Sequence, residues 1–439
     1  MKVLKFGGTS VGSAQRMKDV AKLITDGEQK IVVLSAMSGT TNTLVEISDY
    51  LYKKNPEGAN EVINKLEAKY KQHIEELYST EEYKQKTLEF VKSVFDYIRS
   101  YTKDIFTLFE EKVILAQGEI ISTNMVTNYL CEQGVKATLI PALEFMRTDK
   151  NSEPDLTYIR EKLAIQLEAN PDYEIYITQG FICRNAYGEI DNLQRGGSDY
   201  TASLIGAAVN ASEIQIWTDI DGMHDNDPRI VDKTYPVRQL HFEEAAELAY
   251  FGAKILHPTC VQPAKYANIP VRLLNTMEPT APGTLISNET EKGKIKAVAA
   301  KDNITAIKIK SSRMLLAHGF LRKVFEIFES YQTAIDMVCT SEVGVSMSID
   351  NTKHLNEIVD DLKKYGTVTV DHDMCIVCVV GDLEWENVGF EAKALDAMRD
   401  IPVRMISFGG SNYNISFLIR EADKKKALQS LSDALFNNK

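Results

Sequence analysis

The chain has 439 residues, 44% of them hydrophobic and 26% charged, with 50 Lys plus Arg against 62 Asp plus Glu. At roughly 100–200 residues per domain, that length suggests two to four domains with ordinary globular cores. The formal charge of −12 argues against general nucleic-acid or anionic-membrane binding. No window reaches the ~20 apolar residues of a bilayer span, and MKVLKFGGTS has no apolar leader, so a cytoplasmic protein is expected. Six cysteines are too sparse for a disulfide scaffold.

Along the chain, KVLKF, the GGTSVGS turn, a helix to about Thr25 and IVVLS form a βαβ start over residues 1–41 and predict a parallel sheet. From 42 to about 115 no strand pattern occurs. Glu, Lys, Tyr and Leu recur there at helical spacing, broken at Asn55-Pro56-Glu57-Gly58, which predicts a helical insertion with solvated charged faces. Between about 115 and 290 the α/β alternation returns in ATLIPA, YEIYITQGFI, EIQIWTDI and PVRLLN, and Pro279, Pro282 and Gly283 mark a linker. The remainder reads twice in the order β-α-β-β-α, a ferredoxin-like plan. The second copy ends on a helix and lacks a fourth strand. The run 295–300 is expected to supply it, because sheet edges are rarely left uncovered. The expected domains are therefore 1–290, 303–371, and 294–302 plus 372–439. The fold class is an α/β/α sandwich with a mostly parallel sheet, followed by two βαββαβ modules. His372, Cys375 and Cys378 have ligand-like spacing, but on a strand they point to opposite faces, so no metal site is expected.

Four turns carry candidate chemistry. Lys5-Phe6-Gly7-Gly8-Thr9-Ser10 places two glycines and a lysine where a helix begins, a nest suited to phosphate. It matches neither the P-loop nor the dinucleotide fingerprint. Arg195-Gly196-Gly197-Ser198-Asp199 opens another helix, and its guanidinium suits a carboxylate. Thr218-Asp219-Ile220-Asp221-Gly222 and Asp227-Pro228-Arg229 follow a strand end, where α/β sheets bind ligands. Phe251-Gly252-Ala253-Lys254-Ile255-Leu256-His257-Pro258 is the fourth, with His257 read as structural.

KFGGTS, VVLSAMSGTTN, GEIIST, TQGFI, RGGSDYTA, WTDIDG with DPR, and FGAKILHP occur in the order found in aspartokinases, within the amino acid kinase fold. The paired C-terminal modules resemble the ACT domains of that family, and the resemblance covers essentially the whole chain. It implies a monofunctional, lysine-sensitive enzyme that uses ATP to phosphorylate the L-aspartate β-carboxylate, the first step toward lysine, threonine and methionine. By the same resemblance Lys5, Gly7, Gly8, Thr9 and Ser10 meet the transferring phosphoryl group. Ser35, Thr41, Glu119, Arg195 and Ser198 hold aspartate, with Arg195 on the α-carboxylate and Glu119 on the ammonium. Thr218, Asp219, His224, Arg229 and Lys254 surround ATP, and Asp199 orders the lysines Lys5 and Lys254. His224 stands where the family has Tyr, Gln194 where it has Gly, and Cys183 at a usually small position.

An aspartate carboxylate, with a pKa of about 3.9, needs no general base, so catalysis falls to charge neutralisation and positioning. Mg²⁺ is expected on the nucleotide phosphates, with no protein cage. Met314, Ala317, Gly319, Phe320, Leu321, Asp336, Ser341 and Glu342 resemble a lysine effector site. Gly319 and Phe320 would meet the effector carboxylate, and Asp336, Ser341 and Glu342 its amino groups. Such a site at paired ACT modules implies a homodimer or higher homo-oligomer. A glutamate or N-acetylglutamate kinase, and a non-catalytic ACT-based sensor, are the rival readings.

Overall fold

The computed structural model describes residues 1–436 apart from 104, 194–195, 253–255 and 315–317. The chain forms two units: Met1–Met223 with Ile255–Asn288, and His224–Lys254 with Glu289–Lys439. Residues 224–254, which the sequence reading places in the first domain, thus group with the C-terminal unit. Among the described residues no helix is long and apolar enough to cross a membrane.

In the first unit seven strands lie side by side in the order Ala137–Leu139, Ile175–Gln179, Lys30–Leu34, Lys2–Phe6, Ile214–Thr218, Val271–Asn275 and Thr284–Ser287. The first six are parallel, and the last is antiparallel to its neighbour. Alternation along Lys2–Phe6 decides what each face receives. Leu4 and Phe6 enter a core built with the helices Ala14–Ile24, Thr40–Tyr52, Pro56–Leu77, Glu81–Ser100 and Leu108–Glu132. Val3 and Lys5 belong to the opposite face, covered by Gly197–Val209 with Leu156–Glu168 behind it.

The helical insertion is punctuated by local signals. Asn55 caps Pro56–Leu77 by accepting from Gly58 N–H, with Pro56 in the first turn, where its missing donor costs nothing. Thr107 and Glu110 form a capping box for Leu108–Glu132. That last helix runs well past the expected boundary near 115 and brings Glu119 under the sheet's carboxyl edge.

In the second unit six strands form an antiparallel sheet ordered Met337–Ser341, Gly344–Ile349, Ile295–Lys310, Thr367–Gly381, Asn414–Arg420 and Val403–Ser407. Ile295–Lys310 and Thr367–Gly381 are each one continuous strand shared by two βαββαβ modules. Residues 297–301 pair with 376–380, and 306–310 pair with 367–371. The first module adds Phe320–Ser330 and Leu355–Lys363 over a core of Ile307, Val345, Met347 and Phe328. The second adds Phe390–Ala397 and Lys424–Leu435 over Val298, Val377, Phe417 and Leu431. Cys375 lies in this second core, whereas Cys378, three residues on, is buried on the other side of the strand, beside Ser416.

Between the halves the register shifts twice, and Asn303 and Asp373 take φ of +60° and +55° there. Bulges of this kind let one strand serve two modules without a turn. Asn and Asp tolerate the left-handed region, and a β-branched residue does not. Asp373→Val should therefore lower the stability of this unit by about 1–2 kcal/mol. Asp373→Gly should leave it near wild type, with urea unfolding of the two variants as the measurement.

Candidate active site

The carboxyl ends of the parallel strands carry the site. Lys5 is the penultimate residue of its strand, Ser35 follows Lys30–Leu34, Gly180 follows Ile175–Gln179, and Thr218 ends Ile214–Thr218. A cavity of about 350 Å³ opens there. Its lining includes Lys5, Gly8, Ser35, Thr41, Glu119, Ser198 and Asp199 from the sequence-derived set. It also includes Ala36, Met37, Ser38, Gly39, Asn42 and Phe181, which that set omits. These six fall inside VVLSAMSGTTN and TQGFI, so the signal was their place in loops that follow strand ends.

Lys5 is nearly buried and forms an ion pair with Asp199, Nζ to Oδ1 at 2.6 Å. The Ser35 hydroxyl donates to Ser198 Oγ at 2.9 Å, joining two loops across the cavity. Two helix N-termini reach the lining. Thr40–Tyr52 and Gly197–Val209 are capped by Gly39 and Gly196, both with positive φ and neither with a side-chain cap. Ser13, Asn55, Thr107 and Asp155 cap other helices of this unit with their side chains. An N-terminus without such a cap offers its N–H groups and the positive end of its dipole to an anion. Gly196 has no substitute, because a Cβ would lie 2.0 Å from Cys260 Sγ.

Glu119 is the opposite charge. It is 4% exposed, its Oε1 accepts the Ala36 N–H at 3.2 Å, and its buried Oε2 has no hydrogen-bond partner among the described residues. Burial pushes its carboxyl up to about 7, and the Ala36 hydrogen bond offsets only part of that. Among the described residues the site thus holds a cation and two helix ends without side-chain caps, suited to anions, together with a carboxyl group whose free oxygen suits an ammonium.

Other sequence-derived residues are placed differently. Thr9 offers its carbonyl to Arg16, and Ser10 Oγ lies 3.1 Å from Thr276 Oγ1, so neither lines the cavity. Gly7 adjoins the Lys5 ammonium, 3.5 Å from where a Cβ would stand. Thr218 Oγ1 accepts from Ile220 N–H, and Asp219 is exposed beside it. His224 and Arg229 belong to the second unit. His224 Nδ1 lies 2.9 Å from Thr234 Oγ1, and Arg229 is bound by both oxygens of Asp227. Arg195, Lys254 and Ala317 lie outside the described residues. In the second unit Gly319 caps the Phe320–Ser330 helix at φ +81°, and Phe320 is buried, whereas Leu321 is exposed and Met314 half-buried. Ser341 ends the Met337–Ser341 strand, Glu342 is exposed beyond it, and Asp336 is buried in an ion pair with Lys301.

Comparison with known proteins agrees with this geometry. Residues 1–275 match the amino acid kinase family, and residues 377–435 match an ACT domain. The chain is 35% identical to aspartokinase 1, chloroplastic, of Arabidopsis thaliana, over 99% of this chain and 80% of that protein. It is 32% identical to the lysine-sensitive aspartokinase 3 of Escherichia coli, over 99% of each. Among solved structures it superposes on E. coli aspartokinase III in complex with aspartate and ADP (R-state). That match has a TM-score of 0.85 and 31% identity, over 99% of this chain and 100% of the other. The same enzyme with lysine and aspartate (T-state) gives a TM-score of 0.81 at 32% identity, over 99% of each chain. With amino-acid-kinase sequence over 275 of 439 residues and full-length relatives above 30% identity, the chain belongs to the aspartokinase family.

Proposed function

We propose that the cavity between Lys5 and Glu119 is where this ATP-dependent aspartate kinase brings L-aspartate to the γ-phosphoryl group of ATP. The observation that carries the assignment is the pairing of opposite demands in one cavity: the Lys5–Asp199 ion pair and an oxygen of Glu119 that has no partner among the described residues. Glu119 takes the α-ammonium, Arg195 the α-carboxylate, and Ser35, Thr41 and Ser198 orient the side chain. The β-carboxylate oxygen, already ionised, bonds to the γ-phosphorus as the bond to ADP breaks, giving 4-phospho-L-aspartate. Lys5 and the helix N-termini at Thr40 and Gly197 neutralise charge as two anions approach. Asp199 holds the Lys5 ammonium in place. Thr218, Asp219, His224, Arg229 and Lys254 are assigned to the nucleotide by family resemblance.

Mg²⁺ travels on the ATP phosphates in this reading and, when bound, shields their charge. Among the described residues no group of three or more His, Cys, Asp or Glu side chains could hold a metal ion. Division into a catalytic region and two ACT modules, a homodimer through those modules, lysine as effector near Asp336 and a cytoplasmic setting complete the proposal. ATP consumption against a panel of amino acids, with hydroxylamine trapping of the acyl phosphate, tests it directly. Turnover with aspartate alone supports it, and turnover with glutamate or N-acetylglutamate instead refutes it.

Replacing Lys5 by Ala removes one cation from the transition state, so kcat should fall by about 10²–10³. Near-normal kcat would take Lys5 out of the chemistry. Glu119 generates a pH dependence whose sign follows from its raised pKa. Below about 7 the free site carries a protonated, neutral Glu119, and the aspartate ammonium loses its partner. The kcat/KM for aspartate should therefore climb as pH rises through about 7, while KM for ATP stays nearly flat. Glu119→Gln should abolish that limb and raise KM for aspartate at every pH.

A further inference from the structure

Asp336 precedes the Met337–Ser341 strand, and its side chain is 1% exposed. Lys301 Nζ lies 2.8 Å from Asp336 Oδ1 and 2.9 Å from Asp350 Oδ2. The Tyr250 hydroxyl donates to the same Asp336 Oδ1 at 2.6 Å, and the Lys301 ammonium stands 4.3 Å from the centre of the Tyr250 ring. Asp336 Oδ2 is buried and has no hydrogen-bond partner among the described residues. Two carboxylates and one ammonium leave a formal charge of −1, so a further ammonium would be attracted to the orphan oxygen.

Two contacts tie this cluster to the segment that leads into Lys254. Tyr250 is the last residue of the Phe242–Tyr250 helix. Two residues later Gly252, at φ +117°, approaches the Ala300 carbonyl so closely that a Cβ would lie 2.1 Å from its oxygen. Ala300 immediately precedes Lys301. The chain before Lys254 is therefore fastened to the regulatory sheet on both sides of Phe251, once by a hydrogen bond to the proposed effector carboxylate and once by close packing.

We propose that Lys301 is the resident cation of the effector carboxylate and that Tyr250 is the residue through which effector binding reaches the catalytic segment. The proposal rests on the lysine-effector reading given above. An effector ammonium enters at Asp336 Oδ2 and turns the carboxylate toward itself, drawing Oδ1 away from Lys301 and Tyr250. Lys301 withdraws to Asp350, which already binds it, so no charge is stranded. The Tyr250 hydroxyl loses its acceptor, and the turn through Gly252 is released. Inhibition follows because lysine binds the released state more tightly.

Calorimetric titration of the full-length protein with L-lysine, alongside activity at saturating lysine, separates binding from coupling. Wild type should bind lysine and be inhibited, and Asp336→Asn should lose both. Tyr250→Phe lacks the tether to Asp336 from the start, so it should be less active than wild type without lysine, bind lysine at least as tightly, and lose little further activity at saturation. Lys301→Met removes the internal competitor and should tighten lysine binding about tenfold. Wild-type basal activity of Tyr250→Phe together with full inhibition by bound lysine overturns the coupling role, and weaker binding to Lys301→Met overturns the displacement. A wild type that binds no lysine, or an Asp336→Asn that binds it normally, defeats the effector reading and this proposal with it.

Discussion

A lysine at the end of a central parallel strand is costly to bury, and the catalytic unit is arranged around meeting that cost. Lys5 points away from the face that holds Leu4 and Phe6, into the space between the sheet and the Gly197–Val209 helix. The first turn of that helix supplies Asp199, which pairs with it at 2.6 Å. Because that carboxylate stands beside an open cavity, the ammonium is placed to meet phosphate in the proposed reaction. Removing either member would strand a nearly buried charge, a far larger penalty than losing a surface pair.

Glu119 is the counterpart on the other side of the same cavity. It reaches the sheet edge only because Leu108–Glu132 is long, rigid and capped by Thr107 and Glu110. Among the described residues one of its oxygens has no partner, and in the proposed reaction a substrate ammonium supplies it. The two charged residues thus do different work. One is stabilised by the protein and lends its charge in the proposed reaction, and the other is stabilised there by the proposed ligand.

The C-terminal unit follows another economy. Two βαββαβ modules share the strands Ile295–Lys310 and Thr367–Gly381, each bent by one left-handed Asn or Asp. A shared strand joins the modules by one continuous backbone rather than a flexible linker, with the ladder shifted in register at the junction. Residues 224–254 pack into this unit, with the Phe242–Tyr250 helix lying across the shared strands. The segment before Lys254 therefore takes its support from the regulatory sheet.

Much of this was readable in one dimension. The turns at Gly7-Gly8 and Gly196-Gly197, the helical stretch broken at Pro56, the strands around Lys5 and Thr218 and the doubled C-terminal pattern are local signals. Each depends on period, caps and glycine placement within about ten residues. The amino acid residues of the cavity were legible for the same reason, since Lys5, Ser35, Ser198 and Asp199 sit in recognisable turns. What sequence could not decide was which distant groups meet. The contact of Ser10 with Thr276, the grouping of 224–254 with the C-terminal unit and the capture of Asp336 by Lys301 and Tyr250 all join residues far apart in the chain. Local pattern sets where a strand or helix forms, because hydrogen bonding and side-chain period act over a few residues. Only packing of whole elements fixes which buried charges face each other, because that depends on how the assembled faces exclude water.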